Sequence, residues 1–265
     1  MIICIGQTKP IEGDIAQNLE IHKRFLNIAI DQNADILIFP ELSLTGYEPH
    51  LASELATTQA DKRLDYFQEQ SNLNNIIIGV GLPAKLGKDL FISMVIFQPH
   101  KERITYSKQH LYPSESAIFT AGKNQVYLKF GQHIIAPAIC YELSIPEHSE
   151  LAFKNKATIY IASVLNSVNG IDSDIEKLAI IAQKYKMTVL MTNFIGSSGG
   201  YDCAGKSSVW NKEGIIIGQM DDKTEGVLFY NTETEAVSIT IKIELPFSGE
   251  KYKTPFPSES PTQLN

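Results

Sequence analysis

Short apolar runs bounded by polar, turn-forming residues recur along the chain, and between them lie longer segments whose apolar residues return at helical spacing. The opening MIICIG reads as a buried strand. Asp14 then caps a helix in which Ile15, Leu19, Leu26 and Ile30 share one face. Ile36 to Phe39 form a second buried strand, stopped by Pro40, which has no backbone donor to continue a ladder; Glu41 is therefore delivered at the strand's end. Thr58 to Ser71 read as a polar helical segment. NIIIGVGLP, LFISMVIFQP and RITYSKQHLYP are three further strand-like runs, and Lys108 closes the third.

VYLKF and HIIAPAIC flank Gly131-Gln132 as a hairpin whose second strand ends at Cys140, and Pro146 opens a helix through Lys156. ATIYIASVLN and MTVLMTNFIG each run from a strand into a polar loop, with the amphipathic helix SDIEKLAIIAQKYK between them. Gly199-Gly200 reads as a loop. SSVW, GIIIGQM, GVLFYN and AVSITIKIEL are late strands before a Pro/Ser-rich tail, from about residue 246, expected to be poorly ordered or used in oligomer contacts. Strands alternating with helices indicate a layered α/β protein, and the hairpins favour mixed sheets over purely parallel ones. With no linker or shift in composition, residues 1–265 are expected to form a single domain.

Charge narrows the classes of partner. The formal charge is −7 and no Lys/Arg cluster appears, which argues against nucleic acid and anionic membrane surfaces. No apolar run approaches the ~18 residues of a spanning helix, and the N-terminus lacks the marks of a signal peptide. Three cysteines, Cys4, Cys140 and Cys203, are too few and too scattered for a disulfide framework, so a reducing, cytoplasmic setting is expected. Metal-ligand spacings, GxGxxG and the P-loop pattern are missing, so neither metal nor cofactor is expected.

Glu41, Lys108 and Cys140 share one kind of position, the end of a strand, where α/β proteins assemble their sites. Each also has a plain structural explanation: a lone cysteine closing an apolar strand is usually core, and lone Glu and Lys are usually surface. Cys4, inside MIICIG, fits the core and Cys203 a loop. Cys140 differs because its strand breaks at once into YELSIPE with a helix following, so backbone donors and a positive helix end are expected to lower its pKa. His110 and His148 are near enough in sequence to leave a Cys-His dyad open, and a glutamate could serve as the base instead.

FPELSLTGY, YSKQHLYPSESAIFTAG and APAICYELSIPE, in that order, resemble the three motif regions of the nitrilase superfamily of carbon–nitrogen hydrolases, with NFIG and AGKSSVWNKEG adding to the likeness. The resemblance implies a four-layer α-β-β-α sandwich that pairs as a homodimer or larger assembly, and a Glu-Lys-Cys triad at Glu41, Lys108 and Cys140. Glu115 matches the second glutamate that positions the lysine and the substrate. The implied reaction is hydrolysis of a small-molecule amide through a cysteine thioester, with the Tyr141 N–H facing the oxyanion. Nitrilases and N-carbamoyl-amine hydrolases share that triad, and a catalytically silent binding module on the same fold is the alternative from another class. Lipoprotein acyl transfer would need membrane spans, and the glutaminase arm of an NAD synthetase a second domain.

Where relatives choose substrates the sequence departs from them: VLNSVNG lacks a Trp-Pro pattern, Phe194 stands where many members carry arginine, and Leu143 stands where members resembling the ω-amidase branch carry it. The chain holds only three arginines, Arg24, Arg63 and Arg103, none in a motif region. A bidentate carboxylate clamp is therefore not expected. Tyr47, Tyr141 and Asn166 are the candidates for recognising a neutral amide by shape.

Overall fold

The computed structural model describes residues 1–241. The chain runs through β1 (Ile2–Gln7), α1 (Ile15–Asp31), β2 (Ile36–Ile38), the single-turn α2 (Ala52–Leu55), α3 (Asp65–Asn74), β3 (Ile77–Leu86), β4 (Asp89–Phe97) and β5 (Ile104–Ser107). It continues through β6 (Leu128–Phe130), β7 (His133–Ile139), α4 (Pro146–Lys154), β8 (Ile159–Ser163), α5 (Ile171–Tyr185) and β9 (Thr188–Thr192). The short strands β10 (Ile195–Ser198), β11 (Tyr201–Ala204), β12 (Ser208–Trp210), β13 (Ile216–Gln219), β14 (Gly226–Asn231) and β15 (Val237–Ile241) complete it.

Two sheets result, ordered β15-β14-β1-β2-β3-β4-β5 and β13-β12-β9-β8-β7-β6, with β10 and β11 as a separate hairpin. Both are mixed. Parallel pairs form where a helix carries the chain back, between β1 and β2, β2 and β3, β7 and β8, and β8 and β9; hairpins give antiparallel neighbours such as β3 and β4, while the antiparallel pairs of β1 with β14 and β9 with β12 join strands distant in sequence or separated by the β10–β11 hairpin.

Strand alternation sorts the core into three apolar layers. Ile3 and Ile5 of β1 meet Ile161 of β8 and Leu190 of β9 between the sheets. Cys4, on the other face of β1, packs with Phe25 and Leu26 of α1 and Phe67 of α3. On the far side, Tyr160 of β8 and Val189 of β9 meet Leu178 and Ile181 of α5 and Ala152 of α4. The order is helix, sheet, sheet, helix, as the resemblance implied. Each fully buried Leu, Ile or Phe contributes roughly 1.5–3 kcal/mol. No helix among the described residues is long and apolar enough to cross a membrane.

Three sequence expectations need correction. The helix expected from Thr58 begins at Asp65, because Asp61 accepts both the Thr57 hydroxyl (2.6 Å) and the Arg63 N–H (2.8 Å), starting a 3-10 turn that leads into α3. The helix opened by Pro146 ends at Lys154, with Lys156 already at φ +66°. Gly199-Gly200 is the turn of the β10–β11 hairpin, so Cys203 lies on a strand, buried with Leu165 and Phe194, and not in a loop. The Pro/Ser-rich tail and the last residues of the final strand expected from the sequence fall outside the described residues.

One close approach fixes the turn after β2. A Cβ on Gly81 would meet the Pro40 carbonyl at 2.5 Å and the N–H groups of Leu42 and Ser43, while its own carbonyl accepts the Leu44 N–H at 2.9 Å. β3 thus grips the turn that carries Glu41 through backbone that no side chain can enter. Gly81→Ala is expected to cost about 1–3 kcal/mol, the range for overpacking, read as a lower midpoint in denaturant unfolding; an unchanged midpoint would contradict this packing.

Candidate active site

Three strand ends deliver the three residues to one place. Glu41 follows β2, and Leu42 beyond it turns the chain at φ +53°. Lys108 follows β5, its N–H donating to the Ile92 carbonyl at 2.8 Å and its carbonyl accepting from Gly122 at 2.7 Å. Cys140 follows β7 at φ +46°, a left-handed conformation that L-residues adopt at a cost, and opens a 3-10 turn over Cys140–Ser144. Glu115 comes from another 3-10 turn, Pro113–Ala117.

The Lys108 ammonium is enclosed between two carboxylates. Its Nζ lies 2.8 Å from Glu41 Oε1 and 2.9 Å from Glu115 Oε1, and all three side chains are buried. Glu115 is held in turn by the Tyr47 hydroxyl, donating to Oε1 at 2.8 Å, and by the Tyr112 N–H, donating to Oε2 at 2.7 Å. The second oxygen of Glu41 accepts a 3.4 Å contact from the Leu165 N–H, and Cys140 Sγ donates to the Leu165 carbonyl at 3.4 Å.

Burial sets the protonation states. It pushes Glu41 up to about 7, against the pull of Lys108. Burial works against the charge on Lys108, but Glu41, Cys140 and Glu115 outweigh it and hold the lysine above its ordinary range. The Cys140 thiol is pushed well up, first by burial and then by the charge of Glu41. This overturns the expectation of a depressed pKa. The element after Cys140 is a single 3-10 turn whose dipole is short, and apolar enclosure beside two carboxylates dominates it. The resting arrangement is a neutral thiol beside a carboxylate poised near neutrality.

A cavity of about 270 Å³ opens over this group, lined by Glu41, Glu115, Cys140, Tyr47, Tyr141 and Asn166 among others, so the sequence candidates converge. Lys108 lies beneath them. Tyr47 touches Glu115 through its hydroxyl, and the Asn166 amide donates to Asp174 Oδ2 at 2.7 Å. Sequence reasoning missed Tyr112, Ser144, Asp174, Lys177 and Tyr201, which also line the cavity. Asp174 and Lys177, one helical turn apart in the polar stripe of α5, were the available signal. Tyr201 had none, because its strand is short and polar.

Neither histidine forms a dyad with Cys140 among the described contacts. The His148 ring is buried against the hydroxyls of Tyr160 (2.9 Å) and Tyr106 (3.0 Å), and burial lowers its pKa. Among the described residues one trio has metal-ligand spacing, Glu12, Glu48 and His50, and none of its members lines the cavity.

The profile of the carbon-nitrogen hydrolase family matches residues 3–238. The chain belongs to that family. An (R)-stereoselective amidase of Pseudomonas sp. is 25% identical over 78% of this chain and 76% of its own length. A 2-oxoglutaramate amidase of Bacillus subtilis (strain 168) is 23% identical over 74% and 77%. A solved amidase from Nesterenkonia sp. AN1, in a mutant form in complex with butyramide, superposes with a TM-score of 0.79 at 24% identity, covering 86% of this chain and 89% of that one. That likeness establishes a shared fold.

For this carbon–nitrogen hydrolase the protonation states make a pH prediction. Glu41 can accept the thiol proton only once ionised, so alkylation of Cys140 by iodoacetamide should rise with pH through about 7 and then level off. Mass-spectrometric counting of modified Cys140 against pH checks it. A rate that stays flat to pH 8 and climbs only above it would mean that the thiol ionises without Glu41.

Proposed function

We propose that the protein is a thiol hydrolase that cleaves a small linear amide to a carboxylate and ammonia. The observation that carries this reading is the buried Glu41–Lys108–Glu115 group beneath a partly exposed cysteine at the floor of a small cavity.

Cys140 Sγ attacks the amide carbon as its proton passes to Glu41. The Lys108 ammonium, with one N–H beyond the two spent on carboxylates, and the Tyr141 N–H stabilise the developing oxyanion. That N–H lies in the first turn of the 3-10 segment, where no earlier carbonyl of the turn can take it. A donor of this kind contributes roughly 10²–10³ in rate. Glu41 then returns its proton to the departing nitrogen, ammonia leaves, and a thioester remains. Water enters, Glu41 removes its proton, and hydrolysis restores the thiol. A base that must give and take a proton twice per cycle works best near the ambient pH, which is where burial sets Glu41. Glu115 and Tyr47 keep Lys108 in place throughout.

The cavity's size favours short acyl groups, a reading supported by the butyramide bound to the Nesterenkonia amidase. Among the described residues the one cation lining it is Lys177, whose Nζ already donates to Asp174 Oδ1 at 2.7 Å and Ser144 Oγ at 3.0 Å. Its charge is balanced, so neutral amides are the proposed substrates. A symmetric pairing of two chains would bury the exposed Leu151, Phe153 and Ile180 of the outer helices α4 and α5.

Ammonia release from an amide library tests the reading. Cys140→Ala should abolish turnover with an unchanged circular dichroism spectrum, Cys4→Ala should retain it, and Glu115→Gln should lower it by about 10²-fold. Hydrolysis by a folded Cys140→Ala variant would sink the assignment.

Substrate choice is read from kcat/KM for a neutral aliphatic amide and for an α-keto dicarboxylate monoamide, the class named for the Bacillus relative. The neutral amide should win. A tenfold preference for the monoamide, about 1.4 kcal/mol, would mean that Lys177 leaves Asp174 and clamps a carboxylate.

A further inference from the structure

The acid two residues beyond Cys140 takes no part in the reaction proposed above, yet it is among the most completely buried side chains in the protein, with 0% of its surface exposed. Glu142 Oε2 accepts the N–H of Ile139 at 2.7 Å and the hydroxyl of Tyr106 at 2.6 Å. Its Oε1 accepts the N–H of Gln109 at 2.6 Å, with a longer 3.4 Å approach from that of His110. Ile139 and Glu142 bracket Cys140, while Tyr106 and Gln109 bracket Lys108. One carboxylate therefore holds both strand ends, β7 from one sheet and β5 from the other.

A capping role explains only part of this. A glutamate at the third position of a 3-10 turn commonly reaches back to the N–H before the turn, as Glu142 does to Ile139. Capping does not require the contacts to Tyr106, Gln109 and His110, which lie across the gap between the sheets. We propose that Glu142 is a positioning residue that sets the separation of Lys108 from Cys140. The inference rests on the thiol-hydrolase reading for the roles of those two residues. Behind the carboxylate the network continues from Tyr106 through His148 to Tyr160, while the backbone N–H groups of Ile139 and Gln109 fix its two oxygens.

The chemistry of the acceptor makes this testable. All the backbone partners of Glu142 are donors, and a carboxylate offers an acceptor on each oxygen. Glutamine of the same shape has one acceptor and one NH₂ group, so an N–H would face an N–H on one side or the other. Either the Lys108 segment or the Cys140 turn is then released. Glu142→Gln is expected to lower kcat by 10²-fold or more with KM changed less than threefold. The pH limb of Cys140 alkylation should also move upward from about 7, because a displaced Lys108 no longer offsets the burial of Glu41.

Tyr106→Phe is the comparison for a merely structural role. It removes one hydroxyl from the same buried network but leaves both backbone contacts, so it should lower the thermal midpoint while leaving the pH limb in place. If Glu142→Gln does not fold, Glu142→Asp carries the test: its shorter arm reaches the adjacent Ile139 N–H but not Gln109, and the limb should shift as stated. A folded Gln or Asp variant with the limb at its wild-type pH and kcat within threefold of wild type overturns the proposal. So does an equal shift of the limb in Tyr106→Phe. Alkylation does not require turnover, so it still decides the positioning role if wild-type protein hydrolyses no amide, an outcome that would count against the function alone.

Discussion

A single ammonium with two carboxylates around it, all three out of water, is the constraint on which the site depends. Lys108 can stay charged at that depth only because Glu41 and Glu115 both lie within 2.9 Å of it. Removing one member of such a group typically costs about 3–5 kcal/mol, since an uncompensated charge remains in the interior. Burial leaves Glu41 with a proton affinity near neutrality, against the pull of Lys108 and with a smaller push from Glu115, which itself accepts hydrogen bonds from Tyr47 and the Tyr112 N–H. A structural ion pair would be arranged to hold its proton count fixed; this one is arranged so that one member can change.

The fold supplies this cluster from a seam. Glu41 and Lys108 stand at the ends of β2 and β5 in one sheet, and Cys140 at the end of β7 in the other. The apolar layer between the sheets ends where these residues begin, so the site is covered by core on one side and opens through the cavity on the other. Backbone close packing, as at Gly81, and buried side-chain acceptors, as at Glu142, fix the turns that the strands alone would leave free.

Much of this was legible in the sequence, for identifiable reasons. Strands whose apolar run stops at a proline or breaks into polar residues announce a strand end, and that signal marks the positions of Glu41, Lys108 and Cys140. Cys4 was legible because a cysteine inside the continuous apolar run MIICIG belongs to the core. Tertiary effects were harder to see. The β10–β11 hairpin is short and carries Ser197, Ser198 and Asp202 among its few residues, too polar to read as strands, so Tyr201 and the burial of Cys203 were hidden. Lys177 lay in a helix read for its apolar face, and its approach to Ser144 depends on how α5 docks against the turn after β7. The direction of the Cys140 shift failed for a related reason: a following helix was visible in the sequence, whereas enclosure beside two carboxylates was not.

Keeping Cys140 as a neutral thiol has a consequence beyond hydrolysis. Peroxides and disulfides react with thiolates far faster than with thiols, and the low-pKa cysteines of redox sensors are vulnerable for that reason. In the proposed reaction the sulfur gains its anionic character only in the moment of attack on a bound carbonyl, when Glu41 takes the proton. Burial and the charge of Glu41 keep the resting thiol protonated, so the arrangement that delays its nucleophilicity also shields it from oxidants.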